Sequence, residues 1–142
     1  MKVAAMRRAY LREAAVMLVL ARLAVRFMPP ARLFAWADRP PRRIRRFAAD
    51  EARWVSWAVE ERGLNALSLP RALAAHAMLR RRGIASRLCL GVAREAGEVA
   101  ARAWVEIGTD KIVGGAGTER FTRMAEFGRV RPSSPSIAMK VP

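Results

Sequence analysis

Few residues in this chain can start a reaction. Its 142 residues include one cysteine, Cys89, and one histidine, His76, which excludes an intrachain disulfide and a Cys/His zinc cluster. Ser68 opens the segment "SLPRALAAHAMLRRRG", and its simplest role there is to cap a helix. A serine attacks an amide only while a base removes its proton. His76 follows Ser68 by eight residues, about 12 Å of axial rise along one helix, too far for direct proton transfer. A packed or solvent-touching helix histidine is the expected role. Cys89 lies among apolar neighbours in "RLCLGV", away from any activating helix end, and reads as a buried structural thiol. No carboxylates are paired for acid–base work. The "GGAG" at residues 114–117 lacks the lysine and following helix of a phosphate-binding loop.

The elements that must position these residues have to come from one domain's worth of chain. Apolar residues make up 53% of the sequence and charged residues 27%, enough to bury a core and to exclude wholesale disorder. The net charge is +15, and +10 of it falls within residues 1–48. Nearly all the cations are arginine, with only Lys2, Lys111 and Lys140 as lysines. Such a field attracts polyanions, acidic peptides or anionic lipid. The apolar run at residues 14–21 is far short of the roughly 20 residues a spanning helix needs. "RFMPP" is not a signal-peptide cleavage site. No transmembrane segment is expected. A cytoplasmic location is, with peripheral membrane contact as the alternative.

Periodicity predicts an amphipathic helix over residues 6–28, stopped by Pro29 and Pro30, with its apolar face against a core or, alternatively, a membrane or partner. A short helix over 31–38 follows, then the basic linker "RPPRRIRRF". A third helix is expected over 48–62, with acids in its first turn, Gly63 after it, and Trp54 and Trp57 facing the core. The Ser68 helix carries Ala72, Leu73, Ala75, His76 and Leu79 at three-to-four spacing, a small-residue face suited to close packing. Two strands joined at Gly97 come next, "ASRLCLGVARE" and "VAARAWVEIG". A short strand "DKIVGG", a helix "TERFTRMAEF" and a disordered tail over 130–142 complete the reading.

A helix with a special residue in its first turn, followed by an antiparallel hairpin bearing "AWVE", resembles transglutaminase-like and papain-like cysteine enzymes. The succession "SLPRALAAHAMLRRRGI", "RLCLGV", "ARAWVEIG" and "IVGG…ERFTRMAEF" is similar to the leader peptidase of lasso-peptide biosynthesis, the transglutaminase-like B protein related to the microcin-processing enzyme. The resemblance covers residues 65–127. It implies an α+β fold, with N-terminal helices (1–63) before a helix-plus-antiparallel-sheet core (64–129) and the tail after it. It also implies a cysteine nucleophile opening the helix, a histidine base in the strand motif, and an acid on the next strand. No cofactor is implied. The implied partners are a precursor leader peptide, a small leader-recognition protein and a lasso cyclase.

Carried onto this chain, the nucleophile position is Ser68, the base position Arg102, and the acid position Gly114, with Asp110 close by. Trp104 and Glu106 belong to the same motif and are assigned to substrate binding by the resemblance. The substitutions remove the chemistry. An alcohol does not ionise at neutral pH as an activated thiol does. A guanidinium holds its proton and offers no lone pair. The expectation is a catalytically silent homologue that binds precursor or partner, with Arg102 available to a peptide carboxylate. One alternative is a surviving peptidase using Ser68 with partner assistance. Substitutions introduced to trap substrate are a variant of that reading, which the arginine argues against. Another is a basic nucleic-acid binder, for which charge alone predicts salt-sensitive attachment without sequence readout.

Overall fold

A computed structural model of the chain describes residues 2–41, 49–64 and 66–128. The basic run after Pro41 and the tail over 130–142 lie outside the described residues. Proline sets the boundaries of the first two helices. Helix α1, Lys2–Phe27, stops before Pro29, and α2, Pro30–Asp38, opens with proline in its first turn, where the missing N–H is no loss. It ends at Arg39, which is held extended by the proline that follows. Helix α3, Ala49–Arg62, carries Asp50 and Glu51 at its positive end and Arg62 at its negative end. Helix α4, Ser68–Arg81, closes on backbone bonds from Gly83 to Arg80 and from Ile84 to Leu79, a Schellman arrangement.

Four strands follow: β1 Arg87–Glu95, β2 Glu98–Ile107, β3 Asp110–Val113 and β4 Thr122–Phe127. They form one antiparallel sheet in the order β3-β2-β1-β4. The β1–β2 hairpin turns on Ala96 and Gly97, both at positive φ, the signature of a two-residue turn matched to strand twist. The architecture is therefore α+β, as the sequence implies. No helix among the described residues is long and apolar enough to cross a membrane.

The helices lie on one face of the sheet. Helix α4 packs across β2 and is flanked by α1 and α3, while α2 reaches β4, where Phe34 stacks on Phe127 with centroids 4.7 Å apart. Small residues make the close approach possible: Ala14 and Ala21 of α1, Ala58 of α3 and Ala72, Ala74 and Ala75 of α4 are all buried. One apolar core runs from Ala14 through Leu73 and Met78 to Leu88, Val105 and Val113. The boundary near residue 63 therefore separates stretches of sequence, not separate cores. A second, small cluster of Cys89, Trp104 and Phe121 lies on the opposite face of the sheet.

Three expectations are corrected. "TERFTRMAEF" is not a helix, because Thr122–Phe127 pairs with the open edge of β1, and that ladder overrides a weak helical pattern. Neither Trp54 nor Trp57 is fully buried, and of the two only Trp57 packs against the main core. The buried face of α3 is Ala52, Val55, Ala58 and Val59, whereas the tryptophans pack edge to face beside Tyr10, partly exposed. Ser68 is not the N-cap, because Leu67 takes that position and Ser68 is the first helical residue.

Candidate functional site

The three positions singled out from the sequence, Ser68, Arg102 and Gly114, lie near one another at the Ala103 backbone of β2. Ser68 starts α4, and its Oγ accepts the Ala103 N–H at 3.1 Å, joining the helix N-terminus to the middle of β2. Arg102 is the preceding residue of that strand. Gly114, just past β3, lies so close that an added Cβ would stand 3.0 Å from the Ala103 carbonyl oxygen. The positions sought from sequence are thus neighbours in space, although 35 residues separate Ser68 from Ala103 along the chain.

Among the described residues, the groups there do not form a nucleophile–base–acid chain. Alternation along β2 sends Arg102 to the face opposite Ala103. Its Nη1 donates to the Ala116 carbonyl at 2.8 Å, and its guanidinium lies 5.0 Å from the Phe121 ring centroid. Gly114 has φ of +74°, a left-handed conformation that strains any carboxylate-bearing side chain, and its approach to Ala103 leaves little room for one. Asp110 pairs with Ile107 at the β2–β3 turn, five residues along β2 from Arg102 and about 16 Å away in extended chain. Among the described residues, no imidazole or carboxylate hydrogen-bonds to the Ser68 hydroxyl.

An open cleft of about 730 Å³ adjoins these residues. Arg102, Arg71 and Lys111 supply its cations, and Glu60, Asp110 and Glu119 its acids. Arg71 and Glu60 stand 3.8 Å apart. Lys111 Nζ donates to Thr118 Oγ1 at 2.6 Å, fastening the loop that carries Gly115 and Ala116. Sequence reasoning missed Glu60, Arg71 and Lys111, which show no motif and converge only through tertiary packing.

Trp104 and Glu106 are covered rather than open to a ligand. Both are buried, and the indole N–H donates to Glu106 Oε2 at 2.7 Å. Arg87 and Arg123 also donate to the Glu106 carboxylate. Burial opposes its charge, but the Trp104 and Arg87 hydrogen bonds and the charge of Arg123 outweigh burial and hold its pKa below the ordinary range. Gly91 sits against the indole, where a Cβ would come within 2.7 Å of the ring. These residues brace the strand that carries Arg102.

The two other candidates stay apart from the site. Cys89 is fully buried, and desolvation, with the Glu106 charge adding to it, pushes its thiol up to about 11. His76 is buried, and its Nε2–H donates to the Ala37 carbonyl at 2.7 Å. A carbonyl cannot donate, so this bond fixes the tautomer. Nδ1 is left to accept the Ser86 hydroxyl, also at 2.7 Å. Desolvation lowers His76 to about 4, with Arg80 adding to it and the Ala37 bond opposing. Among the described residues, no three His, Cys, Asp or Glu side chains are placed to hold a metal.

Comparison with curated proteins and with solved structures yields no match. The family model described as the transglutaminase-like superfamily matches residues 15–126, which takes in the second half of α1 and all but the end of β4. A helix N-terminus set against a strand of an antiparallel sheet, with that match across most of its length, places this chain in the transglutaminase-like superfamily.

Proposed function

We propose that this chain is a catalytically silent relative of the lasso-peptide leader peptidases, which binds a precursor leader peptide or the protein that presents it. The observation that carries the reading is the state of the Ser68 hydroxyl. It accepts a backbone N–H from Ala103, next to an arginine bonded to Ala116 and a glycine in left-handed conformation. Among the described residues, the site has neither a proton acceptor for the alcohol nor a group to orient one, and loss of such a unit removes several orders of magnitude of rate. The adjoining cleft, with Arg71, Arg102 and Lys111 on its walls, suits an extended peptide carrying a carboxylate.

Incubation with a lasso precursor peptide and its leader-recognition protein, with products read by mass, tests the silence. Intact precursor is expected. Cleavage that disappears in Ser68→Ala refutes it. Fluorescence anisotropy of labelled precursor tests the binding role, and no change at saturating protein rules that role out. A second reading keeps the chain as a peptidase whose base comes from a partner. The retention of an alcohol at the first position of α4, at the positive end of the helix, favours it. Cleavage only in the partner's presence would select it.

A further inference from the structure

The least explained surface of the molecule is the outward side of α1. Val16, Val19, Leu20, Leu23 and Phe27 recur at spacings of three and four, opposite the buried Ala14, Leu18 and Ala21. Four are about half exposed and Phe27 is 71% exposed, so this helix shows water a second apolar stripe besides the one it buries. The stripe is about 16 Å long at helical rise. Isolated exposed apolar residues need no explanation, but a contiguous stripe does.

The stripe's charged neighbours share one sign. Arg8 and Arg12 extend its line toward the N-terminus, and Arg22 and Arg26 flank it. All four are exposed, and no carboxylate pairs with them among the described residues. The one acid of α1, Glu13, is turned inward and held by Arg81 and Arg82. A second copy on this face would set arginine against arginine. A polypeptide partner is recognised by a polar rim, whereas the exposed charged groups beside the stripe, Arg8, Arg12, Arg22 and Arg26, are all guanidinium. An apolar stripe bordered only by cations suits a surface that is apolar beneath and negative above. Helices that lie in the interface of anionic bilayers have that pattern.

We propose that the outer face of α1 is an anionic-membrane docking surface, with Val16, Val19, Leu20, Leu23 and Phe27 entering the headgroup–acyl boundary and Arg12, Arg22 and Arg26 meeting lipid phosphates. The proposal is independent of the reading of Ser68 and Arg102. It is tested by sedimenting the full chain with vesicles of 70:30 phosphatidylcholine/phosphatidylglycerol or of phosphatidylcholine alone. Binding to the anionic vesicles is expected, weaker by about tenfold or more on neutral ones. The double variant Leu20→Glu/Leu23→Glu should lower partitioning about a hundredfold, by lost apolar burial and added repulsion, with an unchanged far-UV spectrum because both positions are exposed. A polarity-sensitive dye on Val19→Cys should shift to the blue on anionic vesicles, while the buried Cys89 stays unlabelled. Absence of vesicle binding overturns the proposal, as does equal binding by the double variant, which would reduce the effect to charge. A concentration-dependent dimer dissolved by the same variant would assign the face to a second copy. Displacement from vesicles by an equimolar acidic Leu/Glu helical peptide would assign it to a polypeptide.

Discussion

Acidification from pH 7 to pH 5 perturbs one group in this protein more cleanly than any other. His76 is the only histidine, it is 3% exposed, and both ring nitrogens are engaged, with Ser86 and Ala37. Desolvation brings it from 6.5 to about 4 in the folded chain. The unfolded chain therefore takes up the proton first. Stability is fully present above about pH 6.5 and drains away as the pH falls toward 4. At about 1.4 kcal/mol per pK unit, roughly 2 kcal/mol is lost by pH 5 and about 3 kcal/mol once the pH falls below 4. Glu13 is held low by its hydrogen bond from Arg82, and Glu106 is held low as described above, so their losses begin only near and below pH 4.5. The window between pH 6.5 and pH 5 belongs to His76. Urea unfolding followed by circular dichroism at half-unit steps measures the slope, expected to approach one proton per molecule. His76→Gln should be less stable at pH 7 and flat across the same window. An unchanged midpoint between pH 6.5 and 5 in the parent chain, or an imidazole titrating near 6.5 by NMR, would falsify the reasoning.

Gly114→Asp should not rebuild a catalytic acid. With φ at +74° and the Ala103 carbonyl 3.0 Å from the new Cβ, it should lower stability by about 1–2 kcal/mol in urea titration, without creating proteolysis. Gly91→Val should displace Trp104 and cost about 2–3 kcal/mol, read as a lowered melting temperature and altered tryptophan emission. Glu106→Gln removes the buried carboxylate that Arg87 and Arg123 share and leaves them the more exposed Glu126, at 3.6 and 3.3 Å. A loss of about 2 kcal/mol is expected, discounted because both arginines are partly exposed. Native Cys89 should resist iodoacetamide at pH 8 and label fully in denaturant. Fast native labelling would contradict its burial.

Local sequence was enough to place α1 to α4 and the β1–β2 hairpin, because proline stops, the Gly97 turn and small-residue spacing act within a few residues of themselves. It failed at Thr122–Phe127, where the deciding partner, the free edge of β1, lies thirty or more residues away. It failed also at Trp54, since an aromatic type says nothing about which side of α3 the alanines and valines claim, while Trp57 reaches only the edge of the core. Within the site, Ser68, Arg102 and Gly114 could be named from ordered motifs, and the chain does bring them to one point on β2. The attachment of Arg102 to Ala116 depends on the loop after β3, the covering of Glu106 on Arg87 of β1 and Arg123 of β4, and the cleft wall at Glu60 and Arg71 on the meeting of α3 with α4. No local pattern encodes those contacts.

The jacketing of α4 by α1 and α3 limits how portable this half of the molecule is. Ala72, Leu73, Ala75 and Met78 belong to the one core that joins the leading helices to the sheet, and α4 as an element packs against α1, α3 and β2. An excised piece spanning only residues 64–128 would carry a greasy flank straight into solvent. Anyone transplanting the strand-bearing module, or splicing a working nucleophile into it, must move the leading helices along with it.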